Sequence, residues 1–231
     1  MTQLPSAEDL TIYLQPTQFI DSDSPAVITF ARSAAGNANT GLEAGVKLYY
    51  AVRDSIRYSP YDIQFDPARY KASWLLQKKV GFCIQKAILL AAAARAMGIP
   101  SRLGFADVRN HLETRRLIEL MRTDEFFYHG YTELHLNGKW VKATPAFNLS
   151  LCRRFGVKPL EFDGQTDSIF HPFDQAGNRH MEYIRDRGQH ADFPLDDMIR
   201  VFKEGYPHLF TAGGPGWPGK GDFEREAAAE R

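Results

Sequence analysis

Two residues of this chain have the types and the settings for covalent chemistry on a carbonyl group. Cys83 stands directly before an alanine- and leucine-rich run whose pattern predicts a buried helix. The partial positive charge at a helix N-terminus stabilises a thiolate, which predicts a lowered pKa and a nucleophilic role for Cys83. His129 lies in a stretch of alternating strand character and could supply the base. Together they predict a thiol acyl-transfer site.

The composition narrows the classes of function. The 231 residues suit one domain with embellishments. Lysine plus arginine and aspartate plus glutamate number 28 each, and this balance argues against nucleic acid or an anionic membrane as the main partner. The two cysteines indicate a reducing cytoplasm rather than a disulfide scaffold. Residues 1–9 lack a signal-peptide pattern, and no apolar run is long enough to span a bilayer.

The elements that must position these residues can be read from caps and apolar spacing. The longest predicted helix, over residues 83–97, is apolar nearly all round and ends at Gly98, with Pro100 preventing continuation. Further helices are predicted over 25–33, 42–57, 73–79, 111–121, 149–155 and 194–204, and strands over 102–108, 126–136 and 139–144. Residues 1–24 are expected to form an irregular arm with an extended piece near Thr11, and 162–183 a surface excursion.

A hairpin relates the predicted base to a threonine. The Asn-Gly pair at 137–138, between two alternating runs, predicts a two-residue turn that sets Tyr131 opposite Thr144. Side chains alternate along a strand, so His129 shares this face and becomes a diagonal neighbour of Thr144. The threonine hydroxyl could then accept the Nδ1 proton of the imidazole and present Nε2 to the cysteine.

Three sequence blocks surround these residues in a fixed order. They are Gly81-Phe82-Cys83 followed by Ala87-Ile88-Leu89-Leu90, then Arg95-Ala96-Met97-Gly98-Ile99-Pro100-Ser101-Arg102, and then His129-Gly130-Tyr131-Thr132-Glu133 with Gly138-Lys139-Trp140-Val141. Together they resemble the transglutaminase-like superfamily of papain-fold thiol enzymes. The resemblance implies an α+β papain-like fold, with the cysteine-bearing helix packed on an antiparallel β-sheet. It also implies that Cys83 is the nucleophile and His129 the general base.

The third position of the expected triad differs from the family's pattern. The family usually has Asp-Pro-Thr after the tryptophan strand, and its aspartate orients the histidine, whereas this chain has Thr144-Pro145-Ala146. Threonine can hold the tautomer of the imidazole but cannot neutralise an imidazolium. The resemblance therefore implies a triad of Cys83, His129 and Thr144 with a less stable ion pair. Three other acids could substitute: Asp107, Asp163 and Asp174.

Other polar residues near these blocks have a structural explanation. Cys152 has no helix-start signal and is expected to be structural. Arg102 is expected to pair with a carboxylate of the scaffold, and Glu133 with Lys142 across the hairpin. His135 lies nearer the turn than the predicted base, so no catalytic role is expected for it.

Two features support alternatives to acyl transfer. Thr144 in place of the orienting acid would suit a binding module that keeps the fold without turnover. A metal-dependent hydrolase is a further alternative, based on His171, Asp174, His180 and Glu182. Their spacing matches no compact ligand motif, so neither a metal nor a cofactor is expected.

The leading prediction is one domain over residues 1–212, with a core at about 42–148, an elaboration at 149–212 and a flexible tail at 213–231. The expected substrate is a peptide or small-molecule acyl donor with an amide or thioester carbonyl. Water as acceptor makes an amidase or peptidase, and an amine makes a transglutaminase or amide-forming enzyme. The oxyanion is expected to bind the Cys83 N–H and a second donor from the loop at 58–64.

Overall fold

The computed structural model describes residues 9–111, 114–169, 181–211, 217 and 221–229. Among these residues, eight α-helices accompany a four-stranded sheet and a parallel two-stranded ladder. The helices are α1 (Pro25–Ala35), α2 (Gly41–Ser55), α3 (Ala72–Lys78), α4 (Cys83–Ala96), α5 (Arg115–Met121), α6 (Leu149–Phe155), α7 (Leu195–Gly205) and α8 (Phe223–Ala229). The strands are β1 (Arg57–Tyr58), β2 (Val80–Gly81), β3 (Ser101–Asn110), β4 (Glu125–Leu136), β5 (Lys139–Ala143) and β6 (Met181–His190). None of the helices described is both long and apolar enough to cross a lipid bilayer.

Helix α4 forms the centre of the molecule because it is apolar on nearly all sides. It is buried along almost its whole length and packs against α1, α2, α3 and β4. At its start, the Gln85 side chain accepts a hydrogen bond from the Phe82 N–H (3.3 Å) and donates one to the Arg69 carbonyl (2.8 Å). This satisfies one of the amides that a helix N-terminus leaves unpaired. Gly98, with a φ of 74°, ends the helix as predicted.

The main sheet has the strand order β5-β4-β3-β6 with antiparallel neighbours, and α4 lies on it. The approach is close, because a Cβ at Gly130 would lie 3.0 Å from the Ile84 Cα. Only glycine allows a strand and a helix backbone to approach to this distance. The Thr132 hydroxyl donates to the Ala87 carbonyl (2.8 Å) on the same face. The expected α+β architecture is confirmed, and the cysteine-bearing end of α4 lies beside β4.

A bulge in β4 directly precedes the histidine. Tyr128 has a left-handed φ of 62°, and the β3–β4 register shifts at this level. The Asp107 carboxylate stabilises this backbone, accepting the Tyr128 N–H (3.0 Å) while it pairs with Arg187 (2.6 Å). A bulge reorients the residues beside it, so this ion pair helps to set the direction of His129.

The predicted hairpin register is confirmed. Thr132 pairs with Ala143, which brings Tyr131 level with Thr144. The two turn residues, at 137 and 138, have φ values of 48° and 82°, as a type I′ turn requires. Strand β5 ends at Ala143, one residue earlier than predicted.

Two local elements differ from the sequence-based predictions. Leu10–Tyr13 forms a 3-10 turn rather than an extended piece, because the Asp9 side chain caps the Thr11 N–H (2.9 Å). Helix α5 begins at Arg115 rather than at residue 111, because Thr114 is its N-cap and β3 continues to residue 110.

Strand β6 is the largest element that the sequence did not predict. Its first residues fall in the expected surface excursion over 162–183. The strand is mostly polar and pairs through its backbone with β3 at the edge of the sheet. An edge strand that is polar on both faces carries no apolar alternation for a sequence to show.

Two described parts of the expected C-terminal tail, Trp217 and α8, contact other residues of the domain. The Trp217 Nε1 donates a hydrogen bond to the Pro60 carbonyl (2.8 Å), and its ring stacks on Phe202 with centroids 5.7 Å apart. Phe223 of α8 is 1 % exposed. The sequence predicted no packed element here because these two aromatic residues stand among Gly, Pro and charged residues without a periodic pattern.

Candidate active site

Cys83 is the first residue of α4, as predicted. The backbone N–H groups of Gly130, Ile84 and Cys83 itself act to lower the pKa of its thiol. These groups carry partial positive charge and favour a thiolate. Strand β4 and helix α4 thus both favour the charged form of this residue.

The pKa of the Cys83 thiol is nevertheless raised rather than lowered. Burial raises it to about 11, and the three N–H groups offset only part of this effect. Burial also raises the pKa of the Cys152 thiol to about 11. The expectation of a lowered pKa is wrong for this closed site, because removing the thiolate from water outweighs the helix terminus. What distinguishes Cys83 from Cys152 is its place on a cavity.

His129 lines the same cavity as Cys83. Burial lowers its pKa to about 3, so the imidazole is neutral at physiological pH. A neutral imidazole can accept a proton, and a neutral thiol can donate one. The structure brings the two residues together as thiol and imidazole rather than as an ion pair.

Thr144 is buried just beyond the end of β5, and its Oγ1 makes no hydrogen bond to any residue that the structure describes. The expected hydrogen bond between this hydroxyl and His129 is therefore not formed. The chain leaves the hairpin ladder after Ala143 and turns to Ser168, whose carbonyl accepts the Thr144 N–H (2.9 Å). The Thr144 carbonyl accepts the Tyr49 hydroxyl (3.2 Å). These backbone contacts, rather than an imidazole, hold the residue in place.

The acids that could have replaced the threonine have other partners or lie outside the described residues. Asp107 is occupied by Arg187 and by the backbone at the β4 bulge. Asp163 accepts the N–H groups of Gln165 (2.7 Å) and Thr166 (2.8 Å) in an exposed turn. Asp174 lies outside the described residues.

Arg102 and Glu133 have scaffold roles, as expected, but the ion-pair partner of Glu133 differs from the predicted one. Arg102 pairs with the buried Glu133 at 2.6 Å and covers the Trp140 ring, 4.1 Å from its centroid. Glu133 does lie opposite Lys142, but its ion pair goes to Arg102, which contradicts the expected partner. The His135 ring packs edge-on against Trp140, with centroids 5.1 Å apart.

The first residues of the loop expected to supply the second oxyanion donor have no N–H to offer. The Tyr58 N–H donates to Asn148 Oδ1 (2.9 Å), and the Ser59 N–H donates to the Gly81 carbonyl (2.9 Å). Pro60 has no N–H. The effect of the Gly130 N–H on the Cys83 thiol was not anticipated from the sequence.

The cavity shared by Cys83 and His129 is small and apolar, with a volume of about 50 Å³. The side chains around it are otherwise aromatic, aliphatic or uncharged: Tyr58, Pro60, Ile63, Phe82, Ile84, Val108, Asn110, Leu117, Met121, Phe126, Phe127, Tyr128, Phe147, Met181, Phe202, Tyr206 and Trp217. The sequence did not identify this lining, because its members come from many separate elements. The spacing of Phe202 and Tyr206, one helical turn apart, is the signal that could have indicated one wall.

The residues of the proposed metal alternative are mostly outside the described part of the chain. His171, Asp174 and His180 fall there, and Glu182 lies on β6 with its Oε1 3.6 Å from His111 Nε2. Within the described residues, no three metal-binding side chains form a group.

Comparison with known proteins gives a family and weak structural likenesses. Residues 28–145 match the sequence profile of the transglutaminase-like superfamily. No curated protein matches the sequence. Among solved structures, a candidate cysteine protease from Cytophaga hutchinsonii has a TM-score of 0.47 and 16% identity, covering 81% of this chain and 57% of its own. A candidate protease from Parabacteroides distasonis has a TM-score of 0.38 and 18% identity, and the match covers 61% of this chain and 26% of that protein. The chain thus spans little more than half the length of the first of these proteins, and the two scores carry no argument about function.

Proposed function

This chain belongs to the transglutaminase-like superfamily, and from that premise we propose a cysteine-dependent acyl-transfer enzyme with Cys83 as nucleophile and His129 as general base. The observation that supports the proposal is the shared cavity, in which a thiol at the start of α4 and an imidazole on β4 face one enclosed space. An apolar enclosure keeps bulk water from the reacting groups and strengthens the electrostatic interactions between them.

The reaction would proceed in two steps. The Cys83 sulfur attacks an amide or thioester carbonyl while His129 takes the thiol proton and passes it to the leaving amine or thiol. The acyl group remains on the sulfur as a thioester. Water or an amine then attacks this thioester, and His129 moves the proton of the attacking group to the departing sulfur. Water releases an acid, as in an amidase or peptidase, and an amine forms a new amide.

Two backbone N–H groups are suited to bind the oxyanion of each step. The Cys83 N–H is one, because the tetrahedral carbon forms on its own sulfur. The Gly130 N–H is the second candidate, because it acts on the same thiol and lowers its pKa. Helix α4 and strand β4 would then each contribute one donor.

The burial of His129 gives this site a particular protonation state. His129 is neutral in the closed cavity, so the thiol proton moves during attack rather than before it. We expect a slower reaction than in a site with an orienting carboxylate, because an imidazolium has no anion beside it.

The substrate class and compartment follow from the lining and the cysteines. The uncharged wall favours a neutral group on a peptide or small-molecule acyl donor. Both cysteines are free and buried, which fits a reducing compartment such as the cytoplasm.

A second candidate function is a binding module without turnover. The raised pKa of Cys83 and the absence of a hydrogen bond from Thr144 to the histidine favour this reading. It differs from the first in that no covalent intermediate forms.

Trapping the acyl-enzyme tests the proposal. Incubation with 4-nitrophenyl acetate, acid quenching and intact-mass analysis should show one acetyl group per chain, mapped to Cys83. The Cys152→Ala variant should keep this adduct, and Cys83→Ala should lose it. A folded wild-type protein without an adduct at Cys83 would support the binding module instead.

A further inference from the structure

The cavity around Cys83 and His129 is too small in this structure to hold a substrate. Its volume is about 50 Å³, whereas an apolar cavity that admits a benzene ring has a volume of roughly 150 Å³. Cys83 is 8 % exposed and His129 is 7 % exposed. An acyl donor can reach the thiol only after one wall of the cavity has moved.

Trp217 is a wall residue that comes from outside the part of the chain matching the family. That match covers residues 28–145, whereas Trp217 belongs to the C-terminal segment. Its indole donates from Nε1 to the Pro60 carbonyl (2.8 Å), stacks on Phe202 at an interplanar angle of 14°, and meets the Tyr206 ring at 6.0 Å. Among the described residues, the indole is held by this hydrogen bond and by ring packing, whereas Cys83 lies in a helix and His129 in a strand.

Helix α8 anchors the same segment beside the cavity rather than inside it. The buried Phe223 packs on Tyr58 and Tyr61, with ring centroids 5.8 and 5.9 Å apart. Glu226 accepts a hydrogen bond from the Tyr61 hydroxyl and pairs with Arg116 at 2.9 Å. Apart from Tyr58, these contacts involve no residue that lines the cavity, and none of them involves the Trp217 indole.

We propose that the Trp217 indole occupies the subsite for a large apolar side chain of the acyl donor, so that the C-terminal segment competes with the substrate. This inference rests on the proposed acyl transfer at Cys83. A group that displaces the indole must match the same surroundings, namely the Phe202 and Tyr206 rings and the Pro60 carbonyl acceptor. The preferred acyl donor therefore carries a neutral aromatic side chain with an N–H or O–H donor.

Alkylation of Cys83 measures access to this subsite without requiring turnover. In Trp217→Ala, labelling of Cys83 by N-benzyl iodoacetamide should be about tenfold faster than in wild type, because the binding-competent state is no longer rare. The rate of labelling by iodoacetamide itself should increase less, because this reagent has no ring to fill the vacated space. Trp217→Phe should stay close to wild type.

The matched control is Trp74→Ala. Trp74 also exposes part of its indole, packs on Arg69 (5.6 Å) and does not line the cavity. Its removal should change neither labelling rate. Thermal melts of all variants establish that they are folded.

Protection identifies the chemistry of the subsite. N-acetyltryptophanamide should protect Cys83 from alkylation in Trp217→Ala but not in wild type, and N-acetylalaninamide should protect neither. Equal labelling rates in wild type and both folded Trp217 variants would overturn the proposal, as would equal protection by the two amides.

The outcome for acyl transfer can be separated from the outcome for the subsite. Faster labelling and selective protection of Trp217→Ala without any acetyl adduct at Cys83 would support the subsite and contradict acyl transfer. Acylation of wild type and Trp217→Ala at one rate by the 4-nitrophenyl ester of N-acetyltryptophan would support acyl transfer and contradict competition by the indole.

Discussion

At the scale of single residues, the candidate site holds its two reactive groups uncharged. Burial keeps Cys83 as a thiol and His129 as an imidazole. A thiolate–imidazolium pair would need an anion or solvent nearby to offset the loss of hydration. Thr144, which follows the last residue of the hairpin ladder, is the position where the family resemblance would place an anion.

Thr144→Asp should raise the pKa of His129 and lower the pKa of Cys83, because a carboxylate beside the imidazolium favours the ion pair. The pH profile of Cys83 alkylation, followed by mass spectrometry, should move to lower pH by about 1–2 units. Thr144→Asn has a similar shape without the charge and should leave the profile in place. A folded Thr144→Asp protein with the wild-type profile would show that position 144 does not act on His129.

Lys86 is a second buried group with an unusual pKa. Its Nζ donates to the carbonyls of Arg53 (2.9 Å) and Ile56 (2.7 Å) at the end of α2. Burial lowers its pKa to about 7. The amine thus satisfies helix-end carbonyls, and its proton is released on folding at alkaline pH.

Lys86→Met should remove a pH dependence of stability. Between pH 7 and the ordinary lysine pKa of 10.5, the unfolded chain binds a proton that the folded chain has released. The free energy of unfolding of wild type therefore rises with pH in this window and falls as pH drops toward 7. Urea denaturation should be measured from pH 7 to just below 9.0, the ordinary pKa at which the thiols of the unfolded chain begin to titrate. The free energy of unfolding should rise with pH over this range in wild type and not in Lys86→Met. Lys47→Met, at a surface amine bound to Asn37, should keep it. The same slope in Lys86→Met would contradict the account.

At the scale of elements, the contact between α4 and β4 assembles the site. Gly130 lies where the strand meets the helix backbone, and its N–H acts to lower the pKa of the Cys83 thiol. The bulge at Tyr128 then sets the direction of the histidine. The distance between these two elements therefore determines whether thiol, imidazole and N–H donors can act on one carbonyl.

Gly130→Ala should separate the two elements. The added Cβ would lie 3.0 Å from the Ile84 Cα and 3.3 Å from a Phe105 ring carbon. Overpacking of this kind costs about 1–3 kcal/mol, which denaturant unfolding can measure together with the rate of Cys83 acylation. Gly41→Ala, where the nearest atom is 3.9 Å away, is the control and should be neutral or slightly stabilising. Equal stability and acylation in the two variants would rule out this role for Gly130.

The parts of the fold that followed from sequence are those encoded by local residues. Gly98 ends α4 and the Asn-Gly turn sets the β4–β5 register through their own backbone preferences. Strand β6 and helix α8 depend on distant partners, β3 in one case and Tyr58 in the other, so their short and polar sequences did not reveal them.

The candidate site, like the fold, could be predicted from the sequence only in part. Residue type and setting identified Cys83 and His129, and the structure brings both to one cavity. The direction of the Cys83 pKa could not be read from its helix position, because burial is a property of the whole fold. The cavity wall formed by Phe202 and Trp217 could not be predicted either, because these residues meet only in the folded chain.

At the scale of the whole molecule, helix α8 of the C-terminal segment packs on α6 and on the rings of Tyr58 and Tyr61. Glu224 on α8 accepts hydrogen bonds from Asn148 (2.7 Å) and Ser150 (2.8 Å) at the start of α6. Phe223 lies among Tyr58, Tyr61 and Phe155. The segment therefore contributes to stability as well as to the wall of the cavity.

Phe223→Ala should lower the free energy of unfolding by about 3–5 kcal/mol, because it leaves a cavity among buried rings. Calorimetry would show this as a fall in Tm. Ile118→Ala removes a side chain from α5 that is 48 % exposed, and its effect should stay within about 0.5 kcal/mol. A fall in Tm no larger than that of Ile118→Ala would mean that α8 does not dock on the domain in solution.

The central claim, that Cys83 and His129 act as nucleophile and base, is tested most directly by the single-turnover rate of Cys83 acylation in two histidine variants. His129→Ala should lower this rate by about 10²–10⁴-fold, the usual contribution of a general base. His135→Ala, on the same strand but packed on Trp140, should leave the rate within about twofold of wild type, because it lies outside the cavity. Equal acylation rates in wild type and a folded His129→Ala protein would contradict the assignment of the base.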